Sequence, residues 1–418
     1  MQVETSSRAR PDTVSVPASR RAPRWWWFDT ALLGVAAALL RLPALLAPRE
    51  LTYDDAVYGS IALAMRQGFL PYRDILSSQG PLFFPLVFIA DLIGLRTLNA
   101  PRLLSVAAGI VLTLAVYAIV RRTTGRTAAI VTALVVTISG SVLRTTAGLT
   151  GDGPAMALAV TAVALALRYC EQPTRGRAAA VGVAAGAGLA MKLIIAPVAV
   201  PLVILLLWRR RPKDIVLSGS IALAMPVLLA LPWGASRVWE QSVVFHADAE
   251  RQRDYGFNWE ALRLTLWYRD RLVLAVVAIS VIALIVLLIR RKPMFAPNID
   301  DPGTPPKLLL ATAYFGWIAV LFAELMLEAW QFSNHMAHLV PPLALLAALW
   351  SAPALVVAAA ALLILPGEYQ YIRPMVWPNT YGEQRTAAMD ALDDLPENAW
   401  VVTDAPELVW RSGHVIPP

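Results

Sequence analysis

The chain has 418 residues, 57% of them hydrophobic and 16% charged, with a mean hydropathy of +0.57. Apolar runs of about twenty residues recur along it, more than any soluble fold of this length can bury, so composition predicts an all-α polytopic membrane protein. The net charge of +7 raises nucleic acid as a partner, but the positive residues gather in short loops between apolar runs. That is the distribution of topology signals, and it argues against nucleic acid. A single cysteine, Cys170, excludes an internal disulfide and any cysteine-cluster metal site. Lying inside an apolar run, it reads as a packed thiol.

Residues 1–28 are polar and Arg-containing and read as a disordered cytoplasmic tail, closed by the interfacial anchor Trp25-Trp26-Trp27-Phe28. The first span is expected over 30–47, with Arg41 snorkelling from its outer end. Later apolar runs fall at 82–98, 102–120, 127–143, 153–170, 178–191, 193–208, 214–233, 271–290, 308–328, 336–350 and 352–366. The short basic connections at 121–126, 171–177, 209–214 and 290–307 read as cytoplasmic. The acid-richer regions 49–80, 144–152, 234–270 and 367–418 read as external. Both sets alternate correctly only if one run does not cross. The run 82–98 is short and contains Asp91, so it is expected to be re-entrant or interfacial. Eleven crossings remain, within a transmembrane domain over 29–366, with the amino terminus inside and the carboxyl terminus outside. No internal repeat points to a transporter built of two halves. Over 367–418 the pattern predicts a short α/β-like external segment: a helix at 383–395, a turn at 396–398, a strand at 400–403 and a helix start at 406–411. The chain stops as though this unit were cut short.

The expected topology gathers Asp54, Asp55, Asp152, Lys192 and the four histidines, His246, His335, His338 and His414, at the external face. A transport pathway would leave ionisable groups at mid-depth instead. Asp54 and Asp55 follow the first span and precede an amphipathic segment at 56–65, where Asp54 could also serve as a helix N-cap. Asp152 opens a span two residues before Pro154, again a common helix start. Lys192 separates two apolar runs and could simply mark the interface. His335 and His338 share a helical face through their i,i+3 spacing. The loop 245–268 carries His246, Glu250, Arg251, Arg253, Tyr255, Trp259 and Trp267, which suit an interfacial segment better than a sugar site.

The stretch Arg49–Leu82 resembles the first external loop of membrane glycosyltransferases of the C superfamily, most closely the protein O-mannosyltransferase and aminoarabinose transferase branch. The resemblance rests on the acidic pair, on Tyr58 four residues after the first acid, on the turn Gly68, Pro71, Tyr72, and on the re-entry Gly80-Pro81-Leu82. It implies a polyprenyl-phosphate sugar as co-substrate and a glycan, lipid or protein of the cell envelope as acceptor. It places the chain in the plasma membrane with an external active site. Asp54 or Asp55, with Asp152, would supply catalytic carboxylates. Lys192, His335, His338, Gln79 and Tyr58 would bind the donor and its phosphate. Direct displacement by the acceptor hydroxyl would invert the anomeric centre. No metal-binding residues stand out, although a divalent metal is compatible with the class. Many relatives carry a lysine before the Pro re-entry, where this chain has Gln79. Its second acid is Asp55 rather than Glu. A lipid-linked glycan polymerase or ligase, or a lipid or solute transporter, is the alternative reading.

Overall fold

The computed structural model describes residues 25–248, 255–290, 303–329, 331–350, 354–377, 383–396 and 399–414. The tail 1–24, the loop residues Glu250, Arg251 and Arg253, most of the basic connection 290–307, and 397–398 of the expected turn lie outside these. Twenty α-helices are described. α1 (Trp25–Leu45) leads to the short α2 (Tyr53–Arg66) and α3 (Phe83–Ile93). A bundle follows, of α4 (Leu103–Thr123), α5 (Arg126–Ile138), α6 (Gly140–Ala147), α7 (Asp152–Glu171), α8 (Arg175–Met191), α9 (Ala199–Trp208) and α10 (Pro212–Ala230). Three short helices, α11 (Ala235–Trp239), α12 (Phe245–Asp248) and α13 (Tyr255–Arg263), occupy the long loop. The chain returns to the bundle with α14 (Arg271–Ile289), α15 (Lys307–Leu327), α16 (Ser333–Met336), α17 (Val340–Ala348) and α18 (Ala354–Val376), then ends with α19 (Glu383–Asp393) and α20 (Pro406–Ser412).

Helices are what such a sequence must form in lipid, because each helix satisfies its backbone N–H and C=O groups internally. Seven helices among the described residues are long and apolar enough to cross a membrane, eight if the bent pair α5–α6 counts as one. Burial sorts them. α7 has 78% of its apolar window buried and α4 61%, so they form the centre, whereas α10 and α18, at 11% each, lie at the periphery. α3, with 11 residues, extends about 16 Å against a hydrocarbon core of about 30 Å and is too short to cross. Its Asp91 is buried and held bidentately by Arg66 of α2, at 2.9 and 2.6 Å.

Four expectations change. Arg41 does not snorkel: it is fully buried, donating to Thr146 Oγ1 at 2.8 Å and Ala37 O at 2.9 Å, partners that keep the side chain inside the bundle. The run 127–143 is broken at Ser139, where α5 and α6 meet at a bend of 64°. Asp270 stabilises that break by accepting from Ser139 Oγ at 2.5 Å and Ser141 N at 3.2 Å. The last apolar helix runs on to Val376, ten residues past the expected boundary at 366. Finally, the strand expected at 400–403 is reduced to a single bridge residue, Trp400, with 401–403 in no regular element between α19 and α20; a lone strand has no partner to complete its ladder. Cys170 is buried as expected, its thiol donating to Leu205 O at 3.3 Å.

Candidate active site

The site lies where α2, the start of α7, the end of α8 and the turn before α17 converge. α2 begins after Thr52, whose hydroxyl accepts from Asp55 N at 3.1 Å, so Thr52 is the N-cap and not Asp54. Successive residues of a helix point about 100° apart, which sends the two acids to different places. Asp55 is fully buried. It accepts from Arg102 Nε at 3.0 Å and Nη2 at 2.5 Å, from Leu51 N at 2.9 Å and from Leu149 N at 2.8 Å. Every side of its carboxylate is occupied, so the expected catalytic role for Asp55 does not fit this geometry. Asp54 is half-buried, with Asn334 Nδ2 3.4 Å from its Oδ2. Burial raises its carboxyl above the ordinary range, against the opposing pull of Lys192, and the nearby Asp152 raises it further.

Asp152 is the hub. It is fully buried at the first position of α7, and both its oxygens lie 2.9 Å from Lys192 Nζ. His338 Nε2 stands 3.1 Å from Oδ1. The N-cap of α7 is Gly151, so Asp152 opens the helix without capping it and its side chain is given to the site. Lys192, between α8 and the turn into α9, also reaches His335 Nε2 at 3.0 Å. Burial, with repulsion from Lys192, pushes the His335 pKa down to about 3. The neutral ring therefore accepts from the ammonium at Nε2 and donates from Nδ1 to Gln331 Oε1 at 2.5 Å. Gln331 is itself set by Asn258 of α13, whose Oδ1 accepts from Gln331 N at 2.7 Å. The long loop thus braces the site from behind. Tyr255, Trp259 and Trp267 remain exposed, in keeping with an interfacial role.

The re-entry turn supplies the fourth wall. Gly80 N donates to Met191 O at 3.1 Å and Leu82 N to Ala190 O at 2.9 Å, clipping the turn onto the carbonyl end of α8 beside Lys192. Only glycine fits there: a Cβ on Gly80 would stand 2.2 Å from Ala190 O. Gln79 is buried and donates through Nε2 to the Tyr58 hydroxyl, while its Oε1 has no partner among the described residues. A Cβ on Gly151 would lie 2.5 Å from that Oε1 and 3.8 Å from Lys192 Cδ, so Gln79 and Lys192 flank the same short loop. Tyr72 and Gln241 hold the turn, through Tyr72 Oη to Gln79 O at 2.7 Å and Ser77 N to Gln241 Oε1 at 2.9 Å. Burial raises the Tyr58 hydroxyl well above its usual pKa and keeps it neutral.

Asp54, Tyr58, Gln79, Asp152, Lys192, His335 and His338 therefore come together. His246, exposed on α12, acts on His335 through charge repulsion, whereas His414 is buried in the tail beside Ser412. The sequence reading missed Arg144. Its Nε donates to Asn334 Oδ1 at 3.3 Å, and its Nη groups make no hydrogen bond among the described residues. Arg269 stands near it, donating to Ser333 Oγ at 2.9 Å. Arg144 looked like the charged end of an apolar run, and only the bend at Ser139 brings it here. The donor set does not fit a divalent metal. The Lys192 ammonium already bridges Asp152 and His335, and no group of three or more His, Cys, Asp or Glu side chains among the described residues is arranged to hold an ion.

Residues 79–234 match the sequence model of the family described as dolichyl-phosphate-mannose-protein mannosyltransferase. A comparison with curated proteins finds no match. The structure is similar to ArnT from Cupriavidus metallidurans in the apo state, with a TM-score of 0.64 and 15% identity over 94% of this chain and 85% of that one. It is also similar to ArnT bound to undecaprenyl phosphate, at a TM-score of 0.61 and 13% identity, over 94% and 86% of the two chains. The oligosaccharyltransferase of Archaeoglobus fulgidus matches at a TM-score of 0.58 and 14% identity, over 95% of this chain and 60% of that one. The resemblance seen in the first external loop thus extends to the whole architecture: the chain has the fold of the C superfamily of membrane glycosyltransferases.

Proposed function

We propose that this protein transfers a sugar from a polyprenyl-phosphate donor to an acceptor hydroxyl at the external face of the plasma membrane, with inversion. The observation that carries the reading is Asp54, a half-buried carboxylate of raised basicity set across from the fixed cations Lys192 and Arg144. The undecaprenyl phosphate bound by the structurally similar ArnT supports the donor class. The polyprenyl chain stays in the bilayer, and the anomeric carbon sits at the level of α2. The acceptor oxygen attacks that carbon as Asp54 takes its proton; the bond from carbon to phosphate oxygen breaks, and the electron pair leaves with the polyprenyl phosphate. Arg144 meets the developing negative charge with its unengaged Nη groups.

Lys192 acts differently. Its hydrogens are directed to Asp152 and His335, so it contributes a fixed positive field, held in place by His338 and Gln331 through those two partners. Gln79 and Tyr58 supply polar but uncharged contacts to the donor. Asp55 holds α2 and takes no part in proton transfer. In this reading the chain crosses eleven times, with α8, the 193–208 segment and α17 completing the set, and with the amino terminus inside. Sealed right-side-out vesicles given donor lipid and a membrane-impermeant acceptor outside should form product with inverted anomeric configuration. Product formed only from the cytoplasmic side, or with retained configuration, contradicts the proposal.

A further inference from the structure

The tail packs on the side of α2 that faces away from the site. Asp54 and Tyr58, four residues apart, share one face of α2, and Asp55 and Gly59 share another. Trp410 of α20 is fully buried against the second face, where a Cβ on Gly59 would stand 2.2 Å from its indole ring. The indole Nε1 donates to Leu98 O at 3.2 Å, and Ser60 Oγ donates to Pro406 O at 3.0 Å. The Arg102 guanidinium lies 5.1 Å from the centroid of the same ring while holding Asp55, and Arg411 lies 3.8 Å from it. Arg411 donates to Asn99 Oδ1 at 2.7 Å and Arg49 O at 2.9 Å. Arg385 of α19 ties Glu407 to Glu50, at 3.0 and 2.9 Å. Trp410 thus locks against the notch at Gly59 and against the arginine that anchors the neighbouring acid.

We propose that Trp410 is a positioning residue, and that the packing of α19 and α20 fixes the rotation of α2 and thereby the reach of Asp54. This rests on the reading of Asp54 as the base. A small rotation of α2 would swing Asp54 off line, and a misplacement of about 1 Å can cost about 10²-fold in rate. The test uses the full chain in nanodiscs with a defined polyprenyl-phosphate sugar. It compares the parent with Trp410→Leu, which keeps an apolar side chain so that the protein folds, and with Trp410→Phe, which keeps a ring. Hydrogen–deuterium exchange of peptides from 53–66 is measured beside kcat and KM. Trp410→Leu should speed exchange in 53–66 and lower kcat about 10–10²-fold with the donor KM nearly unchanged, and Trp410→Phe should recover most of both. Unchanged exchange in Trp410→Leu overturns the proposal, as does a kcat loss that vanishes once rates are divided by the folded fraction. If the parent itself does not turn over, the transferase reading fails, while the exchange comparison still decides whether the tail holds α2.

Discussion

Asp55→Asn separates the two adjacent acids without any assumption about substrate. In the parent, four donors converge on the Asp55 carboxylate, two from Arg102 and one each from Leu51 N and Leu149 N. An amide replaces one acceptor oxygen by an NH2 group, and in either orientation that group faces a donor. Arg102, fully buried, also loses its counter-charge, although it keeps the carbonyls of Ala44 and Arg49. Breaking one partner of a buried pair costs about 3–5 kcal/mol, a large share of a typical folding free energy of about 5–15 kcal/mol. Asp54→Asn is the control. The Asp54 carboxyl is raised in the folded state, so the native protein holds its proton more tightly than the unfolded chain does. Stability therefore falls as pH rises from the unfolded value through the folded one, and at neutral pH the ionised group is a net cost. Removing it should leave the melting temperature unchanged or raise it. Thermal unfolding in nanodiscs, followed by tryptophan fluorescence, should show a fall of several degrees for Asp55→Asn alone. An Asp55→Asn protein as stable as the parent would refute the assignment of Asp55 as the brace.

Two further outcomes follow from the site. Because Asp54 must be ionised to act and its carboxyl is raised, kcat/KM should fall on acidification along a limb lying above the ordinary carboxylate pKa of about 3.9. His335, with its pKa near 3, should add no limb of its own between pH 5 and 8, so His335→Gln should leave the shape of the profile unchanged. Lys192→Ala should raise the donor KM, and Gln79→Lys, across Gly151 from Lys192, should partly restore it. Strict additivity in that double-mutant cycle, measured with a defined donor, would show that the two side chains do not act on one phosphate.

Much of the fold was legible because lipid leaves the backbone few choices. Apolar runs became helices, and the short run containing Asp91 stayed too short to cross. The break at Ser139 was not legible, since the group that stabilises it, Asp270, lies 131 residues away. Arg41 misled for a similar reason, as its partner Thr146 belongs to a distant helix. At the site, the chemistry-bearing residues at the ends of apolar runs, Asp54, Asp152, Lys192, His335 and His338, were readable from residue type and alternation. The division of labour between Asp54 and Asp55 was also within reach of helical periodicity, because Tyr58 and Gly59 mark the two faces. Arg144 was not, since nothing local distinguishes it from an ordinary charge at the end of a span. In the tail the helix start at 406–411 was legible, but the packing of its Trp410 on Gly59 and Arg102 was not, since both lie more than 300 residues away.

The most direct test of Asp54 as the base is single-turnover transfer by Asp54→Asn in nanodiscs, with donor binding measured on the same sample. The rate should fall about 10²–10⁴-fold, while donor affinity holds and the melting temperature does not fall. Transfer by Asp54→Asn within a few-fold of the parent rate would contradict the account.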